Sequence, residues 1–158
     1  QRFHLWQWEK AHPGASIAGL QTIVEVGGGY GAMAVVCSKL GFRGNYYIYD
    51  LPIMQEIQAT HLQLRDLHCN MYHGVHAKPD LLIAICSLSE MPVVERDEVL
   101  WKMSPQSWLF AYQPGWDGVD NTSYFIRWAN RQKDIGFNVA SGHPLSNFVY
   151  MVSNRGKR

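Results

Sequence analysis

Short apolar runs alternate along this chain with longer stretches in which apolar positions recur every three or four residues. TIVEV (22–26) reads as a buried strand, and YGAMAVVCSKL (30–40) as a helix ended by Gly41. NYYIYD (45–50) is a second strand, and Met54 to Leu67 a second helix with Met54, Ile57, Leu62 and Leu64 as its apolar positions. HCNMYHG (68–74) is a weaker third strand and DLLIAICS (80–87) a strong apolar fourth. A helix around PVVERDEVLWKM, closed by Ser104-Pro105, leads to a fifth strand at SWLFAYQ, and a longer helix follows at TSYFIRWANRQKDIG. Such alternation predicts an α/β fold, a mostly parallel sheet with helices on both faces.

The ending differs. FNVAS (137–141) and NFVYMVS (147–153) are separated only by GHPLS, too short for a crossover helix, so they are expected to pair as an antiparallel hairpin. Residues 1–20 carry Phe3, Leu5, Trp6 and Trp8 ahead of Pro13-Gly14 and read as an amino-terminal arm or helix; residues 21–158 read as one cofactor-binding domain.

Composition narrows the function classes. With 158 residues, 47% apolar and 17% charged, the chain can bury roughly 70% of the surface its unfolded form exposes. A net charge of +1 provides no electrostatic footprint for nucleic acid. No apolar run approaches the ~18 residues of a membrane span. The three cysteines, Cys37, Cys69 and Cys86, lie in apolar stretches without a CxxC pair, as reduced core thiols of a cytoplasmic protein would. The chain opens on Gln1 rather than Met, as a fragment, a processed form or a trimmed chain would.

The chemistry begins in the turn after the first strand, where Gly27, Gly28, Gly29 and Gly31 crowd together. In an open parallel sheet this turn lies at the ligand-binding edge, and its glycines let backbone approach a ligand closely. Two patterns fit. Gly27, Gly29 and Ala32 satisfy the GxGxxA form of the dinucleotide fingerprint, with Asp50 standing 18 residues after Ala32 as a ribose-binding acid. Glu25, Gly27, Gly29 and Gly31 satisfy instead the E-x-GxGxG loop of class I S-adenosylmethionine-dependent methyltransferases. Glu25 favours the second, because an acid inside an apolar strand needs a partner, and the cationic end of an amino-acid ligand would supply one.

Together, VEVGGGYGAMA, YYIYDLP and LLIAICSLSEM resemble the sugar O-methyltransferase family, in matching order from Gln21 onward. The resemblance implies a Rossmann-like class I methyltransferase fold, with a seven-stranded mostly parallel sheet and a C-terminal antiparallel hairpin. It also implies S-adenosylmethionine as cofactor and a hydroxyl of a sugar or glycoconjugate as acceptor. Glu25 and the loop Gly27, Gly28, Gly29, Tyr30 and Gly31 would hold the methionyl part, Asp50 the ribose diol, and Leu51 the adenine. Tyr72, His73 and Gly74 would flank the adenine, and Ser87, Leu88 and Ser89 would line the floor near the methyl group. The acid that often receives the adenine amine after the third strand is replaced by His73 and His76, which puts that contact in question.

An acceptor hydroxyl must lose a proton, so a general base is expected. Glu90, just past the fourth strand, is a candidate, with helix capping as its alternative role; His143, in the final turn, is a second. In QPGWDGVD (113–120), Trp116 would stack on a sugar ring and Asp117 or Asp120 would bind hydroxyls or a divalent metal; a Pro-Gly turn with exposed acids is the plainer reading. No acidic cluster or histidine spacing specifies a metal, including His61, His68, His73 and His76. Trp101, Trp108 and Trp128 are expected in the core, while Trp6 and Trp8 suit an arm closing over the cofactor or a homodimer contact. A domain that binds the methyl donor without turnover, and a nicotinamide-dependent oxidoreductase, are the alternative functions.

Overall fold

A computed structural model describes residues 1–67, 70–71, 78–132, 135–143 and 146–154; for residues 70–71, 141–143 and 146 the description is of the backbone. The strands are β1 (Thr22–Val26), β2 (Asn45–Tyr49), β3 (Asn70–Met71), β4 (Leu81–Ile85), β5 (Trp108–Tyr112), β6 (Gly115–Trp116), β7 (Val119–Asp120), β8 (Gly136–His143) and β9 (Ser146–Asn154). The helices are α1 (Arg2–Ala11), α2 (Ala32–Lys39), α3 (Pro52–Gln63), α4 (Ser87–Glu90), α5 (Val93–Trp101) and α6 (Asn121–Asn130).

The main sheet runs β3-β2-β1-β4-β5-β9-β8. Strands β1 to β5 are parallel; β9 pairs antiparallel with β5, and β8 antiparallel with β9. The sheet is therefore mixed. Six of its strands have five residues or more, and the edge beyond β2 is held by the two-residue β3. The chain leaves β1 outward through β2 and β3, then returns to β4 on the other side of β1. The resulting reversal between β1 and β4 is the position at which such sheets open a crevice beyond their carboxyl ends.

Both faces are covered, which is why β4 and β5 are apolar at every position rather than at alternate ones, and β1 at all but Thr22 and Glu25. On one face Ile23, Tyr46, Ile48, Leu81, Ile83, Leu109 and Ala111 pack against Leu5 and Trp8 of α1, Met33, Ala34 and Cys37 of α2, and Leu62 of α3. On the other, Val24, Val26, Leu82, Ala84, Trp108, Phe110 and Tyr112 pack against Val99 and Leu100 of α5 and Tyr124, Phe125 and Trp128 of α6.

Three sequence expectations change. Trp8 is 2% exposed and its indole N–H donates to Ser107 Oγ at 3.0 Å, so this residue anchors α1 to the sheet instead of serving a mobile arm; Trp6 remains exposed. Trp108 and Trp128 are buried as expected, but Trp101, at the end of α5, is 87% exposed. Helix α3 begins at Pro52, and its inward face carries Gln58 and Leu62, four residues apart on adjacent turns, while Ile57 and Leu64 are exposed.

Glu25 is the acid within this core. It shares the α1–α2–α3 face with Ile23, is 3% exposed, and accepts a hydrogen bond from the Tyr46 hydroxyl at 2.8 Å. Burial pushes its carboxyl up to about 8 from the ordinary 4.5; the Tyr46 hydrogen bond opposes this and the Asp50 charge adds to it. The folded protein thus holds a proton on Glu25 that the unfolded chain releases once pH exceeds the ordinary value. Stability should fall as pH rises from about 4.5 to about 8, with a slope approaching ~1.4 kcal/mol per pH unit, and level off above. Glu25→Gln keeps an acceptor for Tyr46 without an ionisable proton, so urea unfolding of this variant should lose that slope. An unchanged slope would place the titration elsewhere.

Candidate functional site

The glycine loop leaves β1 directly into the crevice at the strand-order reversal. Gly27 has φ +73°, and its N–H donates to Tyr49 O at 2.8 Å, tying the loop to the end of β2. An added Cβ at Gly27 would overlap Cβ of Ser87, whose hydroxyl donates to Val26 O. The loops after β1 and β4 therefore meet without a gap. Gly29, at φ +55°, has nothing within 4 Å of an added Cβ, so here the loop borders open space. The N–H of Gly31 closes the turn on Gly28 O at 2.8 Å, and α2 follows.

Beyond β2 the carboxylate of Asp50 is gripped on both oxygens. Oδ1 accepts from Leu51 N at 2.8 Å and Oδ2 from Gln58 Nε2 at 2.7 Å. The second Gln58 amide proton goes to Gly29 O at 3.0 Å, and Gln55 donates to Asp50 O at 3.2 Å. A fully buried glutamine thus spans the glycine loop and the acid. The sequence reading passed over it, although its position four residues before the apolar Leu62 placed it on the inward face of the helix. Leu51 and Tyr30 are exposed, at 67% and 66%, and the Tyr30 ring lies 6.4 Å from that of His61. Glu25, assigned to the same loop, lies beneath it: an added Cβ on Gly28 would come 3.2 Å from Glu25 Oε2.

The end of β4 is strained. Cys86 adopts φ +68°, donates to Ala111 O at 2.7 Å, and receives Ser89 N at 2.9 Å and Glu90 N at 3.2 Å on its own carbonyl. Burial, with the Glu90 charge adding to it, pushes the Cys86 thiol up to about 11, so at neutral pH it is no thiolate nucleophile. Leu88 is 2% exposed in the core and Ser89 1% exposed; both face inward rather than forming the floor expected of them. The Ser89 hydroxyl lies 2.6 Å from Cys86 O and 2.7 Å from Gln113 Oε1, its single proton shared between the two. Gln113 Nε2 then donates to Glu90 Oε1 at 3.0 Å.

A buried cation supports this arrangement. Arg96, 1% exposed, donates to Asn121 Oδ1 at 2.8 Å, Met91 O at 3.0 Å and Ser89 O at 3.1 Å, and lies 4.5 Å from the Tyr124 ring centre. Asn121, 0% exposed, passes the connection to Gln113 O at 3.0 Å. Gln113, Arg96 and Asn121 are further residues that sequence reading did not single out. Gln113 was accessible in principle, since the β4–β5 register pairs Ile85 with Ala111 and so brings it beside Ser87.

Residues 115–120 form a small hairpin, β6 pairing antiparallel with β7. Trp116 is 46% exposed and Asp117, at φ +44°, occupies the turn. Asp120 caps α6 through Ser123 N at 2.9 Å and Ser123 Oγ at 2.7 Å, bonds that hold its carboxyl below the usual range. His143 ends β8 and pairs in register with Ser146. Because Ser141 aligns with Val149, and Val149 with Tyr112, His143 lies just past the same sheet edge, two strands from β5. Tyr72, His73 and Gly74 lie outside the described residues, as do His68, Cys69 and His76. Among the described residues, no cluster of three metal-ligating side chains occurs and no helix is long and apolar enough to cross a membrane.

No protein-family model and no curated protein matches the chain in sequence. Its architecture matches solved structures. An O-methyltransferase family protein from Burkholderia thailandensis superposes with a TM-score of 0.69 at 12% identity, covering 99% of this chain and 57% of its own. Magnesium protoporphyrin IX methyltransferase from Synechocystis PCC 6803, solved with S-adenosylmethionine, gives 0.68 at 12% identity, over 98% and 76%. Ribosomal protein L11 methylase from Lactobacillus delbrueckii subsp. bulgaricus gives 0.62 at 16%, over 99% and 78%. The chain spans little more than half the length of the first of these. At such identities the likeness is one of architecture: the chain shares the fold of these methyltransferase structures.

Proposed function

We propose that the protein binds S-adenosylmethionine and transfers its methyl group to a hydroxyl of a sugar or glycoconjugate. The observation that carries the reading is the open backbone at Gly29 beside the doubly held Asp50 carboxylate, both at the strand-order reversal of a methyltransferase fold. A Cβ at Gly29 would project into open space, which is the room a ligand needs against this loop. The acids that reach this edge are Asp50 and Glu90, and residues 22–31 and 80–90 contain no lysine or arginine. Such a border suits a ligand carrying sulfonium and ammonium charges better than a dinucleotide pyrophosphate.

In this reading the loop from Gly27 to Gly31, with Tyr30, holds the amino-acid end, and Asp50 accepts from the ribose hydroxyls. Leu51 covers the adenine on one side, with Tyr72, His73 and Gly74 assigned to the other, and Ser87 fixes the loop from below. When bound, the cofactor supplies an activated methyl group, so the protein contributes chiefly alignment and proton removal. Glu90 is assigned as the base: it is exposed, and Gln113 fixes one of its oxygens. Trp116 and Asp117 are assigned to the acceptor, the half-exposed indole offering an apolar plane for a sugar ring. His143 is the alternative base.

Calorimetry with S-adenosylhomocysteine and NADH on one preparation tests the cofactor assignment. Binding of the first alone is expected, and Gly27→Ala should abolish it, since the new Cβ collides with Ser87. Binding of NADH alone would replace this reading with an oxidoreductase.

For turnover, a panel of sugars and glycosides with labelled methyl donor should reveal an acceptor. Glu90→Gln should then lower kcat by roughly 100-fold or more while leaving S-adenosylhomocysteine affinity within about twofold. Unchanged turnover would remove Glu90 from the role and turn attention to His143.

A further inference from the structure

Gln58 carries an inference that rests on the cofactor reading above and extends it. We propose that Gln58 is the positioning residue of the donor site: it fixes the Asp50 carboxylate for a ribose diol and locks that acid to the glycine loop. The two halves of an adenosine-bearing amino-acid cofactor are thereby gripped by one rigid unit.

The side chain is 0% exposed and uses both protons of its amide, one on Gly29 O at 3.0 Å and one on Asp50 Oδ2 at 2.7 Å. Its orientation is forced. Both partners are acceptors only, so turning the amide over would set Oε1 against a carboxylate and a carbonyl. That Oε1 is buried without a hydrogen-bond partner. A position selected for packing alone, on the same face as Leu62, is better filled by an apolar side chain, which leaves no unsatisfied acceptor. The amide is therefore retained for its two donors.

The charge of the group fits the same purpose. A lysine or arginine here would neutralise Asp50, whereas an amide holds the carboxylate in place and leaves its charge to the ligand. With Leu51 N on Oδ1, both oxygens are pinned from the α3 side, and each keeps a lone pair for a hydroxyl. The contact also joins segments distant in sequence, since Gly29 lies 29 residues before Gln58. A ribose drawn onto Asp50 is thus referred to the loop that receives the amino-acid end.

The test compares calorimetric binding of S-adenosylhomocysteine with that of its 2′,3′-dideoxy analogue. In the wild-type protein the diol should be worth roughly 10- to 100-fold. Gln58→Met keeps the volume and lacks the donors; it should weaken S-adenosylhomocysteine roughly tenfold and shrink the diol factor to within about threefold. Gln63→Met, at an exposed position near the end of the same helix, should leave both values as in wild type. Thermal melting establishes that each variant is folded, and Gln58→Asn, an amide too short to span both partners, provides the same reading if the methionine variant is not. A general loss of structure would weaken both ligands alike; only a positioning role erases the difference between them. A folded variant that keeps the full diol factor overturns the inference and leaves the cofactor reading standing. A wild-type protein that binds neither compound overturns both.

Discussion

At the strand-order reversal, the Ser87 side chain occupies the volume in which any residue at 27 other than glycine would carry its Cβ. That contact lets the Ser87 hydroxyl reach Val26 O and dock the end of β4 onto the end of β1. Everything around the crevice inherits its position from it. On one side the loop continues through Gly29 to Gln58 and Asp50; on the other, Ser87 opens α4, which ends at Glu90. A Cβ at position 27 would push the two loops apart, and in the proposed reading donor and acceptor must meet between them.

The polar groups beneath the site are handled in a consistent way. Glu25, Gln58 and Arg96 are all almost fully buried, and none faces a side chain of opposite formal charge. Glu25 meets a phenol and is held neutral by its surroundings. Arg96 meets an amide and two main-chain carbonyls, with an aromatic ring against its plane. Buried ion pairs often fail to repay their desolvation, whereas here neutral acceptors hold Nη1 and Nη2 at fixed geometry and leave Nε without a partner. The carboxylates Asp50 and Glu90 remain toward the rim, where a cationic ligand would encounter them.

Much of this architecture could be read from the order of residues, because strands buried on both faces leave an unmistakable apolar signature and the glycine cluster marks the turn that follows β1. The α/β class, the antiparallel ending and the places of Gly27, Asp50 and Glu90 along the sheet edge follow from that pattern. The inward face of α3 did not. Ile57, and Leu64 just past its end, lie outside while a polar Gln58 lies within beside Leu62, so a rule that buries only the apolar positions misses part of the inward face. Trp101 and Trp8 show the same limit from opposite directions: one aromatic at a patterned position is exposed, and one assigned to an arm is core. Hydrogen bonds decide the buried cases. Gln58 is drawn inward by Asp50 and by Gly29, 29 residues away, and Trp8 by Ser107, 99 residues away.

In the proposed reading the site has a donor half and an acceptor half, and the two differ in how they are built. The donor half rests on β1, β2 and α3, with Gln58 joining loop and acid in a single step. The acceptor half rests on β4, β5, α5 and α6, and its connection is longer: Arg96 to Asn121, Asn121 to the Gln113 main chain, the Gln113 side chain to Glu90. A single buried amide permits little adjustment, which suits a half that must recognise one constant molecule. A chain of amides ending at the rim, beside a two-stranded hairpin that carries Trp116, can be altered link by link without disturbing the donor half. Between them Cys86 takes the positive φ that turns β4 into α4, and a second positive φ falls on Asp117 in the turn of the hairpin, so strained backbone marks both the junction and the acceptor rim.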